Sequence, residues 1–185
     1  MIVAATERMQ LREATPDDAA FMLELLNEPA WSSFIARHSI ATPGQAAGYI
    51  AERMTSMYSK LGYGLWIAEI LPDHTPAGIC GLVKRDSLEV PDLGFAFLRE
   101  YQGRGYALEA AHAVLRLSAE KLELDKLLAV SAPENVPSIR LLEKLGFEYT
   151  STFTHSGSTE VLRLYAVPLH DDDEDRDRRA PAAPV

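Results

Sequence analysis

A short run near the middle of the chain has the residue types to hold an anion: Gln102-Gly103-Arg104-Gly105-Tyr106-Ala107. Its two glycines lack Cβ atoms, so a phosphate can approach the backbone closely there. An alternating stretch precedes it, with Leu93, Phe95 and Phe97 interleaved with Gly94, Ala96 and Leu98, which predicts a strand. An amphipathic run follows from Ala107 to about Leu122, with Leu108, Ala111, Leu115, Ser118, Ala119 and Leu122 on one helical face. A glycine turn between a strand and a helix N-terminus gathers backbone N–H groups that have no intrahelical acceptor. With the positive end of the helix dipole behind them, these donors favour a bound anion. Arg104 either adds a charge-assisted contact or is simply solvated.

Two nucleotide-binding loops are tested by the same residues. A Walker loop requires Lys-Ser or Lys-Thr after its last glycine, and Tyr106-Ala107 stand there instead. A dinucleotide fingerprint requires a third small residue after Gly105, and the position holds Leu108. The alternating strand also differs from the continuous apolar run of a central parallel strand. Glu123 and Asp125 lie near the position of a ribose contact, so a nucleotide-dependent oxidoreductase stays open as a disfavoured alternative.

The remaining composition narrows the chemistry further. A formal net charge of −9 argues against general nucleic-acid binding, which needs a basic surface. Cys80 is the one cysteine, so no intrachain disulfide forms and a reducing, cytoplasmic location is expected. The five histidines have no metal-ligand spacing, and no metal site is read from them. No apolar run approaches the roughly 20 residues of a membrane span, and Ile2 to Ala5 is too short for a signal peptide.

The elements that must position the loop can be placed in order. Met9 to Ala14 alternates as a first strand, and Thr15-Pro16-Asp17-Asp18 starts a helix with the apolar stripe Phe21, Met22, Leu25 and Leu26. Thr42 and Gln45 have capping-box spacing for a second helix that stops at Gly62. Tyr63 to Ile70 and Ala77 to Lys84 read as a hairpin, and Asp92 to Leu98 as the next strand. Lys126 to Ala132 is a strand joined to it through the central helix, a βαβ crossover that makes the two parallel neighbours. Asn135 to Leu145 is a short helix stopped by Gly146, and a final hairpin turns at Ser156-Gly157-Ser158. Residues 1–169 read as a single domain, and residues 170–185, with the block Asp171 to Asp175, as a disordered acidic tail.

Two motifs carry a family resemblance. Gln102-x-x-Gly105-x-Ala107 resembles the acetyl-coenzyme A loop of the GNAT superfamily of N-acetyltransferases. Asn135-Val136-Pro137-Ser138, followed by an apolar helix and Gly146-Phe147, resembles the second cofactor-side motif of the same enzymes. The wording Asn-x-x-Ser with Glu-Lys-Leu-Gly-Phe is similar to the branch of ribosomal-protein N-terminal acetyltransferases. The resemblance implies an α/β fold, a mixed sheet of about seven strands with about four helices on both faces. It also implies a splay between two parallel strands that admits the pantetheine arm.

The resemblance also implies a site. Backbone groups of Phe97 and Leu98 would pair with the pantetheine and the thioester carbonyl, and the N–H groups from Gln102 through Gly103, Arg104, Gly105 and Tyr106 to Ala107 would hold the pyrophosphate. Asn135 and Ser138 would complete the cofactor side. The slot where many members carry a tyrosine acid holds Leu142, so Ser138 is the candidate acid, or else a helix-start residue with a local hydrogen bond. Among Asp92, Glu69 and Glu89, Asp92 is favoured as the base, since this branch often has an acidic residue at that strand start. Trp31, Phe34, Arg37, His38 and Trp66 are candidate acceptor-wall residues. The expected activity is acetyl transfer from acetyl-coenzyme A to a primary amine, on a protein N-terminus or a small molecule. The protein is expected to be a monomer or homodimer, with no nucleic-acid or membrane partner. A non-catalytic acyl-coenzyme A-binding module is the alternative.

Overall fold

The computed structural model describes residues 1–29, 40–154 and 160–170. The expectations for Trp31, Phe34, Arg37, His38, the turn at 156–158 and the acidic tail from 171 onward lie outside the described residues.

Alternation of apolar residues builds the sheet. Its strands are β1 (Ile2–Ala5), β2 (Met9–Arg12), β3 (Leu65–Ile70), β4 (Thr75–Val83), β5 (Asp92–Phe97), β6 (Lys126–Ser131), β7 (Glu148–Phe153) and β8 (Leu162–Pro168). They lie in the order β1-β2-β3-β4-β5-β6-β8-β7. Every neighbouring pair is antiparallel except β5–β6. β1 is an eighth strand that sequence reading did not assign. It is four residues long, and its hairpin with β2 is irregular between Ile2 and Ala4, so no clean alternation marks it.

Helices cover both faces. α1 (Ala19–Leu26) and α2 (Pro43–Ile50) pack on one face, over a core that includes Leu25, Ile50, Ile67 and Ile79. The capping box forms: Thr42 Oγ1 accepts from Gln45 N–H and Gln45 Oε1 accepts from Thr42 N–H, at 3.3 and 3.2 Å. α2 continues through a π-helical turn (Ala51–Thr55) into α3 (Ser56–Leu61), and Gly62 ends it at φ +75°. α4 (Tyr106–Glu120) and α5 (Val136–Lys144) cover the opposite face.

The buried face of α4 differs from the expected stripe. Ala110, Ala111, Ala113, Val114, Leu117 and Ser118 are buried, whereas Leu108, Leu115 and Leu122 are only partly so. Small side chains let the helix lie close to the sheet, and the leucines then pack around the border of the contact. Hydrophobicity alone weights leucine over alanine, which rotates the expected face away from the observed one. Trp66, a candidate wall residue, lies in the core at 2% exposure.

Candidate active site

The loop after β5 takes the shape that its glycines permit. Gly103 and Gly105 stand at φ +73° and +84°, in the left-handed region that a Cβ disfavours. Gly105 caps α4, and the first helical carbonyl bond runs from Glu109 N–H to Gly105 O at 3.0 Å. The N–H groups of residues 103–108 therefore have no acceptor among the described residues. Nothing lies within 4 Å of where a Cβ on Gly103 would sit, so the space over the loop is open. Donors, open space and the positive helix end together make an anion cradle.

Beside the cradle the sheet parts. β5 and β6 pair at one position only, Asp92 with Leu128, where Leu128 N–H donates to Pro91 O at 3.2 Å. Beyond it β6 stays fully paired with β8, from Lys126–Pro168 to Ser131–Arg163. β5 likewise stays paired with β4, from Val83–Asp92 to Gly78–Phe97. The two parallel strands are each held by their outer neighbour and diverge toward their C-terminal ends.

Strand parity decides which backbone groups face the gap. Leu98 N–H donates to Ala77 O at 3.0 Å, so it lies on the β4 side. An antiparallel ladder alternates, so Ala96 and Gly94 share that side while Phe97, Phe95 and Leu93 turn toward β6. Phe97 O is capped by Gln102 Nε2 at 2.8 Å. The expectation that backbone groups of Leu98 pair with the cofactor is thus corrected for its N–H: that donor belongs to the β4 ladder. The amides of Phe95 and Phe97 are the ones left along the gap.

A cleft of about 680 Å³ runs through this opening. It brings together Phe97, Gln102, Gly103, Gly105, Tyr106, Ala107, Asn135, Ser138 and Asp92 from the expected set. Asn135 Oδ1 accepts from Ser138 N–H at 3.2 Å and caps α5, so Asn135 shapes the helix start. Ser138 is half-buried on the cleft wall. Leu142, at the tyrosine slot, is 1% exposed in the core and does not line the cleft. Leu98 is buried under α1 and α2, and neither it nor Arg104 lines the cleft.

The three candidate carboxylates separate clearly. Glu69 is buried and hydrogen-bonded to Arg12 and Gln10, at 2.5 and 2.6 Å, away from the cleft. Glu89 is exposed and pairs with Lys126 at 2.5 Å. Asp92 lines the cleft, is 1% exposed and pairs with Arg85 Nε at 2.8 Å. Burial pushes the Asp92 carboxyl above its ordinary value, against the opposing pull of the Arg85 charge and hydrogen bond.

Sequence reading missed several residues. Phe95 contributes through its backbone, which only the ladder parity reveals. Arg85 and Glu28 line the cleft from a loop and from beyond the C-terminus of α1, with no local motif to mark them. Glu28 Oε1 accepts from Arg99 N–H at 3.1 Å, tying α1 to the approach of the loop.

The fold that carries this cleft superposes on those of solved acetyltransferases. The ribosomal-protein-S5-alanine acetyltransferase of Vibrio fischeri superposes with a TM-score of 0.75 at 18% identity, covering 92% of this chain and 98% of that one. The RimL ribosomal L7/L12 alpha-N-protein acetyltransferase, solved in complex with coenzyme A, gives a TM-score of 0.75 at 14% identity, covering 91% of this chain and 98% of that one. The chain belongs to the GNAT acetyltransferase family: the family model "Acetyltransferase (GNAT) domain" matches residues 8–148. The uncharacterized protein YkkB of Bacillus subtilis is 32% identical over 152 residues, covering 80% of this chain and 86% of YkkB.

Proposed function

We propose that this acetyltransferase takes its acetyl group from acetyl-coenzyme A and transfers it to a primary amine, on a protein N-terminus or a small molecule. What carries the reading is the continuity of two unfilled backbone surfaces, the amides of residues 103–108 and the gap-facing edge of β5. The first suits a pyrophosphate, and the second suits the amides of a pantetheine arm. Gly103 and Gly105 leave the approach open, and Asn135 and Ser138 close the cofactor side at α5.

Bound acetyl-coenzyme A supplies an activated acetyl thioester. Phe95 N–H is placed to donate to a carbonyl oxygen in the gap, in a partly water-excluded position where such a bond is strong. Ser138 supplies a proton to a departing thiolate from the α5 side. The acceptor must attack as a neutral amine, and free α-amines and lysines are protonated below about pH 8 and 10.4. Asp92 shares the strand face of Ala96, toward α1, and receives the amine proton there, directly or through water. Acceptors enter from that side, past Leu25 and Glu28. The Vibrio fischeri enzyme is named for a ribosomal-protein alanine and the RimL enzyme for an alpha-N position of ribosomal L7/L12, so N-terminal peptides head the acceptor screen.

Calorimetric titration with acetyl-coenzyme A, with NADH as control, tests the donor. Micromolar binding of the first alone is expected, followed by thiol release with one class of amine. Absence of binding overturns the donor assignment.

A further inference from the structure

The cradle is braced by a residue far away in sequence. Arg8 lies in the turn between β1 and β2, and its side chain reaches the start of α4. Nε and Nη2 contact Glu109 Oε2 at 2.7 and 2.6 Å, and Nη1 donates to Arg104 O at 3.1 Å. The guanidinium stands 4.7 Å from the Tyr106 ring centroid. A Cβ on Gly105 would lie 3.3 Å from Nη2, so the glycine also leaves room for this side chain. Arg8 N–H and Thr6 Oγ1 donate to Glu109 Oε1 at 3.0 and 2.6 Å, which fixes the carboxylate from the same turn.

One planar cation thus meets residues 104, 106 and 109 in a fixed geometry. Glu109 suits the first turn of a helix, but its negative charge opposes an anion at the same helix end. Arg8 holds that carboxylate aside and cancels its charge. We infer that Arg8 is a positioning residue for the acetyl donor, keeping the 103–106 loop in its anion-receiving shape and neutralising Glu109. The inference rests on the acetyl-coenzyme A reading above.

The test compares acetyl-coenzyme A with S-acetylpantetheine, which has the thioester arm without the pyrophosphate. Arg8→Ala is expected to raise Kd and KM for acetyl-coenzyme A about tenfold while kcat at saturation stays within about twofold. The loss in kcat/KM for S-acetylpantetheine is expected to be several times smaller. Glu109→Gln placed in the Arg8→Ala background is expected to recover part of the affinity, because it removes the uncancelled charge. Arg8→Lys, which keeps charge but not the fork, is expected to fall between. Equal losses with both donors, or no recovery with Glu109→Gln, overturn the role at the pyrophosphate and leave a general structural brace. Unchanged acetyl-coenzyme A binding by Arg8→Ala overturns the clasp alone, whereas no binding by the unaltered protein overturns the donor reading and the clasp with it.

Discussion

Ser138 and Asp92 reach the cleft from different elements, and the proposed mechanism gives each its own work there. Ser138 lines the cleft with its N–H held by Asn135, which fixes the backbone there. Ser138→Ala is expected to lower kcat by about a hundredfold with acetyl-coenzyme A affinity unchanged, the range of a lost proton donor. A change in affinity alone, read by titration beside steady-state kinetics, makes it a binding residue. Asp92 must be ionised to accept a proton, and its burial raises the pH at which it ionises. With KM expressed as neutral amine, the acid limb of kcat/KM is therefore expected above the ordinary aspartate value of about 3.9. Arg85→Leu removes the cation that holds the shift in check, so the limb is expected to move further up. A pH profile that stays put in Arg85→Leu overturns Asp92 as the base.

Among the elements, the sheet and its helices are tied by a half-buried cation. Arg12 on β2 donates to both oxygens of Asp18 at 2.6 and 2.8 Å, and to Glu69 on β3 at 2.5 Å. Both carboxylates are about 95% buried. Arg12→Met leaves both without their guanidinium partner in the interior and is expected to cost about 3–5 kcal/mol of stability, measured by urea unfolding. Burial works against ionisation of Asp18, but hydrogen bonds from Arg12 and Thr15 outweigh it and hold the carboxyl below its ordinary value. A carboxyl depressed in the folded state contributes stability above the unfolded value near 3.9, and that stability is lost as pH falls through the folded value. The stability gap between the unaltered protein and Arg12→Met is therefore expected to narrow as pH falls, from the raised carboxyl values of the variant down through the depressed value of Asp18.

At the scale of the molecule, the cleft is where the interior of the sheet, between β5 and β6, leaves backbone groups unpaired. A ligand that fills those groups binds only the folded chain, so it stabilises by mass action. Acetyl-coenzyme A at 100 times its Kd is expected to add about 2.7 kcal/mol. For a chain of this size that raises Tm by about 5–10 °C, read by calorimetry or a thermal shift. NADH is expected to leave Tm unchanged. Among the described residues no helix is long and apolar enough to cross a membrane.

Local chemistry made much of this legible in the sequence. Gly103 and Gly105, Thr42 with Gln45, and Gly62 and Gly146 act on their own backbone neighbourhoods, so their residue types alone announce turns, caps and stops. The loop and the Asn135–Phe147 motif pointed to the family for the same reason: each is a contiguous stretch with a contiguous job. The gap-facing edge of β5 was only partly legible: Phe97 was named, but adding Phe95 and setting the Leu98 N–H aside depends on ladder parity with β4. Arg8 with Glu109, and Arg12 with Asp18 and Glu69, were not legible. Glu109 lies 101 residues from Arg8 and Glu69 lies 57 from Arg12, and exposed and buried charges look alike in one dimension. What the sequence by itself determined was each segment's own conformation; which edges stay open and which charges meet was decided only when the sheet assembled, because those choices depend on neighbours brought together by the fold.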